Sequence, residues 1–259
     1  RHSLALVNIK ILGIGIPRGK DVGPLFLVWL VALLVLILER DLGTSLLLFG
    51  LFTVMLYVAT GRRSWVAIGA LLLAIGGAFA YRLFSHVQIR FDVWLRPFDD
   101  ANGNGYQIVQ SLYGLANGGI FGTGWGQGYP QLVPFAKTDF ITSALGEELG
   151  LMGLIAILLL FAILVERGAR AAVATRDPFG NLFAIGLTTV IGLQTFIVIG
   201  GVTRLVPLTG LTTPFLSYGG SSLVANYIII GILIRISNAA RSPEIADAQL
   251  VLRKNGETK

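Results

Sequence analysis

A chain of 259 residues that is 54% hydrophobic and only 13% charged, with a mean hydropathy of +0.75, is too poor in charge for a water-soluble domain, where about 25% is usual. The absence of cysteine excludes disulfides and thiolate chemistry, and two distant histidines, His2 and His86, exclude a His/Cys metal cluster. The net charge of +6 is not a nucleic-acid footprint, because the basic residues fall in short connections between apolar runs.

The composition predicts an all-α polytopic membrane protein. The chain opens at Arg1 without a signal-like segment, and Arg1, Lys10, Arg18 and Lys20 make its first twenty residues read as a connection between two spans of a longer protein. Apolar runs then predict about six transmembrane helices, near 21–38, 42–60, 65–84, 147–167, 179–202 and 222–240, within a single transmembrane domain, 1–243. Between Leu205 and Ile234 no charge occurs, yet Pro207, Gly210, Pro214, Gly219 and Gly220 interrupt the run. We therefore split it into an irregular, re-entrant-like piece, Pro207–Ser222, and a final helix. Non-helical backbone at membrane depth survives where protein or a wet cavity satisfies its polar groups, so this piece is expected to line a cavity. The tail, 244–259, is polar and expected to fray.

Lysine and arginine divide fourteen to six between the two sets of connections. The richer set is the cytoplasmic one, which puts both termini of the chain inside and the long loop, 85–143, outside. That loop carries Trp94, Tyr106, Tyr113, Trp125 and Tyr129, too aromatic a set for disorder.

Within and after that loop lies PFAKTDFITSALGEELG, Pro134–Gly150, where Lys137, Asp139, Glu147 and Glu148 crowd the entrance to an apolar run. Ionisable groups at the lip of a membrane segment are costly to desolvate and are retained where they face water or a cavity. Asp139 is thus either a chemical centre or a helix N-cap. Glu147 and Glu148 either complement the helix dipole or serve a site; as neighbours they point about 100° apart, so at most one faces a given partner. Arg204 reads as an interfacial anchor or as a clamp for an anion. The run GGIFGTGWGQG, Gly118–Gly128, lacks both a Walker A ending and GxGxxG spacing before a helix, so it reads as a tight loop with several positive-φ positions rather than a phosphate cradle. Asp41, before Leu42-Gly43-Thr44, reads as an N-cap. Gln194 and Asn226, inside apolar runs, are expected to hydrogen-bond between helices.

Taken together, GGIFGTGWGQG, PFAKTDF, GEELGLMG and PLTGLTTPFLSYGGSS resemble the SEDS proteins (shape, elongation, division and sporulation), the RodA/FtsW group of bacterial peptidoglycan polymerases. ERDLGTS, Glu39–Ser45, and YQIVQS, Tyr106–Ser111, match two further stretches of that family, and the details are most similar to actinobacterial members. The family has a ten-helix fold, of which this chain would hold the last six. Lys137 stands where many members have His.

The resemblance implies glycosyl transfer on lipid II at the outer face of the bacterial cytoplasmic membrane. Asp139 would be the essential acid, acting as general base, with undecaprenyl pyrophosphate as leaving group. Lys137, Thr138, Arg204, Glu147, Glu148, Ser217, Tyr218, Gly219 and Gly220 would surround the substrate. Lys137 would favour the ionised form of Asp139, and Lys137, Arg204 and Arg96 would be the cations available to the leaving group. The sequence shows no required cofactor and leaves room for a divalent cation. Expected partners are lipid II, undecaprenyl-linked glycan, membrane lipids and a class B penicillin-binding transpeptidase, with no nucleic acid. Two other readings stand beside this one: a lipid II flippase, which would want ionisable groups near mid-membrane rather than at the rim, and a membrane scaffold for a transpeptidase.

Overall fold

The computed structural model describes residues 8–11, 14–17 and 19–256, with side chains for residue 23 and residues 26–241. Apart from an antiparallel hairpin, β1 (Asn8–Ile11) with β2 (Ile14–Pro17), the described chain is helical. Helices α1 (Gly19–Leu38), α2 (Leu42–Thr60) and α3 (Ser64–Leu83) follow one another through tight turns. Asp41 caps α2 by accepting the Thr44 N–H at 2.9 Å, as the polar turn foretold, and Gly61 ends the helix at φ 69°. Then come α4 (Ser85–Leu95), α5 (Tyr106–Gly118), a 3-10 turn (Pro130–Leu132), α6 (Ile141–Ala174), α7 (Pro178–Val202) and α8 (Gly220–Gly256).

Five helices among the described residues are long and apolar enough to cross a membrane: α2, α3, α6, α7 and the 220–241 portion of α8. Among the described residues α1 contributes a shorter apolar stretch, Phe26–Leu38. α7 sits in the middle, packed on α2, α6 and α8, while α3, α6 and α8 leave rows of leucine, isoleucine and valine uncovered, as suits lipid-facing sides. A membrane-level core joins Phe161, Ala172, Ala184, Ile191 and Leu233.

Three elements differ from expectation. The stretch 85–143 is not one loop: α4, α5 and the 3-10 turn fold over the end of α7 around a core of Ile108, Val109, Val133, Phe140 and Val202. Their apolar residues recur at helical spacing among polar ones, so burying one stripe suffices to order them. α6 begins six residues earlier than the span expected at 147–167 and outlasts it, its last turns held by a Glu166–Arg170 (i, i+4) ion pair. The tail expected to fray continues α8 to Gly256, since EIADAQLVLRK is made largely of good helix formers.

α6 is broken at Gly150 (φ 68°, ψ −172°) into sections 141–149 and 151–174. The glycine-rich loop splices the break. Thr123 and Gly124 donate N–H groups to the Glu147 and Glu148 carbonyls (2.9 and 3.1 Å), while Leu151 and Met152 donate to the Gly119 and Ile120 carbonyls (2.9 and 3.1 Å). Backbone groups orphaned by the break are thereby paired. Gly119, Gly122, Gly124 and Gly126 all have positive φ, in keeping with the tight-loop reading, and a methyl on Gly122 would stand 2.1 Å from the Glu148 carbonyl oxygen.

Candidate functional site

Asp139 lies in the turn that leads into α6. It is not the cap of that helix: the N-cap position belongs to Phe140, and no side chain accepts a hydrogen bond there. Its carboxyl instead enters a cavity of about 200 Å³ assembled from five parts of the chain. α4 contributes Ile89, Arg90, Val93 and Trp94, which fall on one helical face. Asn104, Gln107 and Ile108 come from the start of α5, Gly201 and Arg204 from the end of α7, and Leu208 and Gly210 from the irregular piece after it. That piece is non-helical from 203 to 219 and walls a cavity, as its proline and glycine punctuation predicted.

Asp139 is half-buried, and among the described residues it is the only carboxylate in the cavity wall. Burial pushes its pKa above the ordinary aspartate value; a Thr138 hydrogen bond and the Arg90 guanidinium pull against that rise without cancelling it. The single Thr138 hydroxyl hydrogen serves either this carboxylate or the Phe135 carbonyl, 3.2 Å away. Arg90 was the residue that sequence reasoning missed. It donates from Nη1 to the Leu208 carbonyl at 2.7 Å, which holds the guanidinium beside Gly210, the glycine that Asp139 also approaches. A methyl on Gly210 would stand 3.7 Å from Asp139 Oδ2 and 3.8 Å from Arg90 Nη2. The two charges therefore flank one glycine without forming an ion pair, and four of the five guanidinium N–H groups are not used on Leu208. The local signal for Arg90 is its place on the same α4 face as Val93 and Trp94, a signal that exists only where 85–95 is helical.

Arg204 also reaches the cavity, but most of its donors are engaged. Nη2 donates to the Trp94 and Leu95 carbonyls (2.8 and 3.1 Å) and Nε to Trp94 (3.2 Å), while Trp94 Nε1 donates back to the Arg204 carbonyl at 2.9 Å. This reciprocal clasp ties the C-terminal end of α4 to α7, where a cation suits the helix dipole.

Lys137 does not act on Asp139 as expected: its side chain is exposed, it is not in the cavity wall, and Arg90 is the cation that Asp139 feels. Glu147 is buried elsewhere, 2% exposed behind α5, with Oε1 accepting from Asn117 Nδ2 (3.0 Å) and the Tyr129 N–H (3.1 Å). Glu148 is partly exposed and leans on Gly128. The expectation that at most one of them faces a given partner fails: a methyl on Gly128 would stand 3.1 Å from Glu148 Cγ and 3.2 Å from Glu147 Cγ, so both acids attend the splice rather than the cavity. Ser217 and Tyr218 grip the Asp139 turn from outside the cavity: Ser217 Oγ donates to the Thr138 carbonyl at 2.6 Å, and the Tyr218 N–H to the Lys137 carbonyl at 2.7 Å. The Tyr218 ring is exposed, and Gly219 and Gly220 merely open α8. Arg96, the C-cap of α4, is likewise not in the cavity wall. Gln194 and Asn226 do not bond between helices. Gln194 Nε2 donates to the Thr212 carbonyl of the irregular piece (2.8 Å), and Asn226 reaches Ser222 within α8 (3.4 Å). Among the described residues, no group of three His, Cys, Asp or Glu stands ready for a metal.

Residues 16–242 match the model of a family described as cell cycle protein, FtsW/RodA/SpoVE. The chain is 58% identical over 233 residues to peptidoglycan glycosyltransferase RodA of Mycobacterium tuberculosis, covering 90% of this chain and 50% of that protein. It is 41% identical over 214 residues to stage V sporulation protein E of Bacillus subtilis, covering 81% of this chain and 58% of that one. Among solved structures, a chain of a peptidoglycan synthase complex that coordinates polymerization and crosslinking superposes with a TM-score of 0.72 at 27% identity, over 87% of this chain and 64% of that chain. The chain thus spans about half the length of the mycobacterial relative.

Proposed function

This chain belongs to the FtsW/RodA/SpoVE family of cell cycle proteins, and on that premise we propose that it polymerises lipid II into glycan strands, with Asp139 as general base. The observation that carries the reading is a half-buried carboxylate that shares one neighbouring glycine with an arginine, inside a cavity at the mouth of a membrane bundle. The acceptor sugar's 4-hydroxyl is a poor nucleophile. A carboxylate within about 3 Å takes its proton as the new bond to the donor's anomeric carbon forms. A raised pKa makes Asp139 a better base than an ordinary aspartate, provided it is ionised, and Arg90 and Thr138 favour that ionised form. Direct displacement inverts the anomeric centre, so one carboxylate suffices at the nucleophile. The departing undecaprenyl pyrophosphate carries its own charge and needs cations rather than a proton, a role that suits the N–H groups of Arg90 not spent on Leu208.

The arrangement we favour has six membrane helices, with α1 completing the set, both ends of the chain in the cytoplasm and residues 85–143 outside. The charge asymmetry of the connections supports it. A resident cofactor is not required by this chemistry; a divalent cation would ride on the substrate's diphosphate. A class B penicillin-binding transpeptidase as partner is in keeping with the solved synthase complex that the chain resembles.

The test is polymerisation of purified lipid II by the full-length protein, wild type against Asp139→Asn. Glycan chains from wild type alone support the enzyme. Chains from neither, with lipid II still crossing vesicle membranes in both, overturn it in favour of a flippase.

A further inference from the structure

At the end of α6 remote from Asp139, a second cavity of about 310 Å³ opens between α6 and α8. Its floor is hydrocarbon: Leu164 from α6 and Ile230, Leu233 and Ile234 from α8. Its rim is cationic, with Arg167 on one helix and Arg241 on the other. Seventeen residues separate the Gly150 break from Arg167, roughly 25 Å of helix at 1.5 Å per residue, close to the thickness of a hydrocarbon core. The rim therefore falls at the membrane surface opposite the Asp139 cavity.

Two observations define the occupant. The Arg167 side chain is 68% exposed, and its acidic neighbour Glu166 is shared with Arg170 and comes no nearer than 3.8 Å. Ile234 is 63% exposed, so the apolar floor runs out sideways onto the lipid-facing side of α8. A ligand that satisfies both must carry an anion at one end and hydrocarbon at the other. A free inorganic anion would use the arginines and waste the floor, a zwitterionic lipid would bring its own cation to a cationic rim, and a second copy of this chain would bring the same positive charge. The cavity holds about ten water-sized volumes, enough for a phosphodiester and glycerol but not for acyl chains.

We infer that this groove binds an anionic glycerophospholipid of the leaflet opposite Asp139. The phosphodiester sits between Arg167 and Arg241, whose planar forks match phosphate oxygens. The first methylenes lie on Ile230 and Ile234, and the rest of the acyl chains follow α8 into the bilayer. With each arginine contributing roughly a factor of five near an anionic headgroup, the pair confers about a thirtyfold preference over a zwitterionic lipid.

The experiment uses full-length protein in phosphatidylcholine nanodiscs containing a trace of phosphatidylglycerol with a photoreactive group near the glycerol end of one acyl chain. Adducts are mapped by peptide mass spectrometry. We expect them to concentrate in 160–171 and 230–241, to fall about thirtyfold in R167Q/R241Q, and to fall much less in R167K/R241K, which keeps the charge. Each single glutamine variant should lose about fivefold, which keeps the test available if the double variant does not fold. Equal labelling by the choline analogue, unchanged labelling in the glutamine variants, or displacement by inorganic phosphate would overturn the inference. So would adducts on the other lipid-facing helices and none in the groove, because another stretch of the polypeptide would then be filling it.

Discussion

Ser217→Ala removes one hydroxyl that serves two masters. Its Oγ accepts the Thr213 N–H at 2.7 Å and donates to the Thr138 carbonyl at 2.6 Å, and both Ser217 and Thr213 are buried. Stranding the Thr213 N–H costs about 1–3 kcal/mol, and losing the bond to Thr138 costs about 0.5–1.5 kcal/mol more. The stability loss is therefore about 2–4 kcal/mol, read as a lowered midpoint of thermal unfolding. The turn that carries Asp139 also loses one of its two tethers, the Tyr218-to-Lys137 bond remaining. Misplacing a reacting group by about 1 Å can cost on the order of 100-fold in rate, so with one tether left we expect a loss of about tenfold in lipid II polymerisation. Thr212→Ala is the control: that hydroxyl lies in the same irregular piece but pairs with Ser222, 3.0 Å away, rather than with the turn. Its rate should stay within about twofold of wild type. If Ser217→Ala slows turnover no more than Thr212→Ala does, the turn is not held from this side and the positioning argument fails.

Because a general base must be ionised, the acid limb of the rate profile should lie above the ordinary aspartate value, following the raised pKa of Asp139; a limb at or below that value would contradict the burial argument. Removing Arg90 removes a charge that lowers this pKa, so Arg90→Gln should move the limb to still higher pH and weaken donor use, both measurable in one series of initial rates. A group whose folded pKa is raised favours the native state while protonated and loses that advantage as pH rises through the folded pKa; at neutral pH the neutral isostere in Asp139→Asn should therefore raise the unfolding midpoint while abolishing turnover. Gly150→Ala should be more damaging than an ordinary helix substitution. It forces a side chain into φ 68°, ψ −172°, a region essentially reserved for glycine, at about 1–3 kcal/mol, and sets a methyl 2.3 Å from the Gly122 nitrogen, so that the splice must open. Unfolding measurements would check it. Lys137→Ala, with its exposed side chain outside the cavity, should leave rates within about threefold of wild type.

Five of the six expected spans were legible as long apolar helices because charge-free runs admit few alternatives to crossing a bilayer, and the irregular piece because Pro207, Gly210 and Pro214 forbid one helix through it. Asp139 stood out for the same reason in reverse, as a charge where charge is expensive. What the residues could not announce was pairing across distance. Arg90 precedes Asp139 by almost fifty positions, and nothing near Lys137 reveals that it is the wrong cation. The glycines of 118–128 disclosed their own conformation but not the partner they serve, since the break at Gly150 exists only once the loop lies against it. Glu147 and Glu148 were drawn toward the site by sequence proximity, whereas the break turns them to the loop.

The interruption of α6 also separates two orientations that a continuous rod would lock together. We expect the section 151–174 to lean to suit a thicker or thinner bilayer, pivoting where Leu151 and Met152 are held by the glycine-rich loop. The section 141–149 keeps its bearing from the folded cap above, through the Ser143 hydroxyl on the Ser111 carbonyl (2.8 Å) and the packing of Phe140. The orientation of the turn that carries Asp139 should then hold across bilayers of different thickness, and turnover should vary little between membranes of short and long acyl chains.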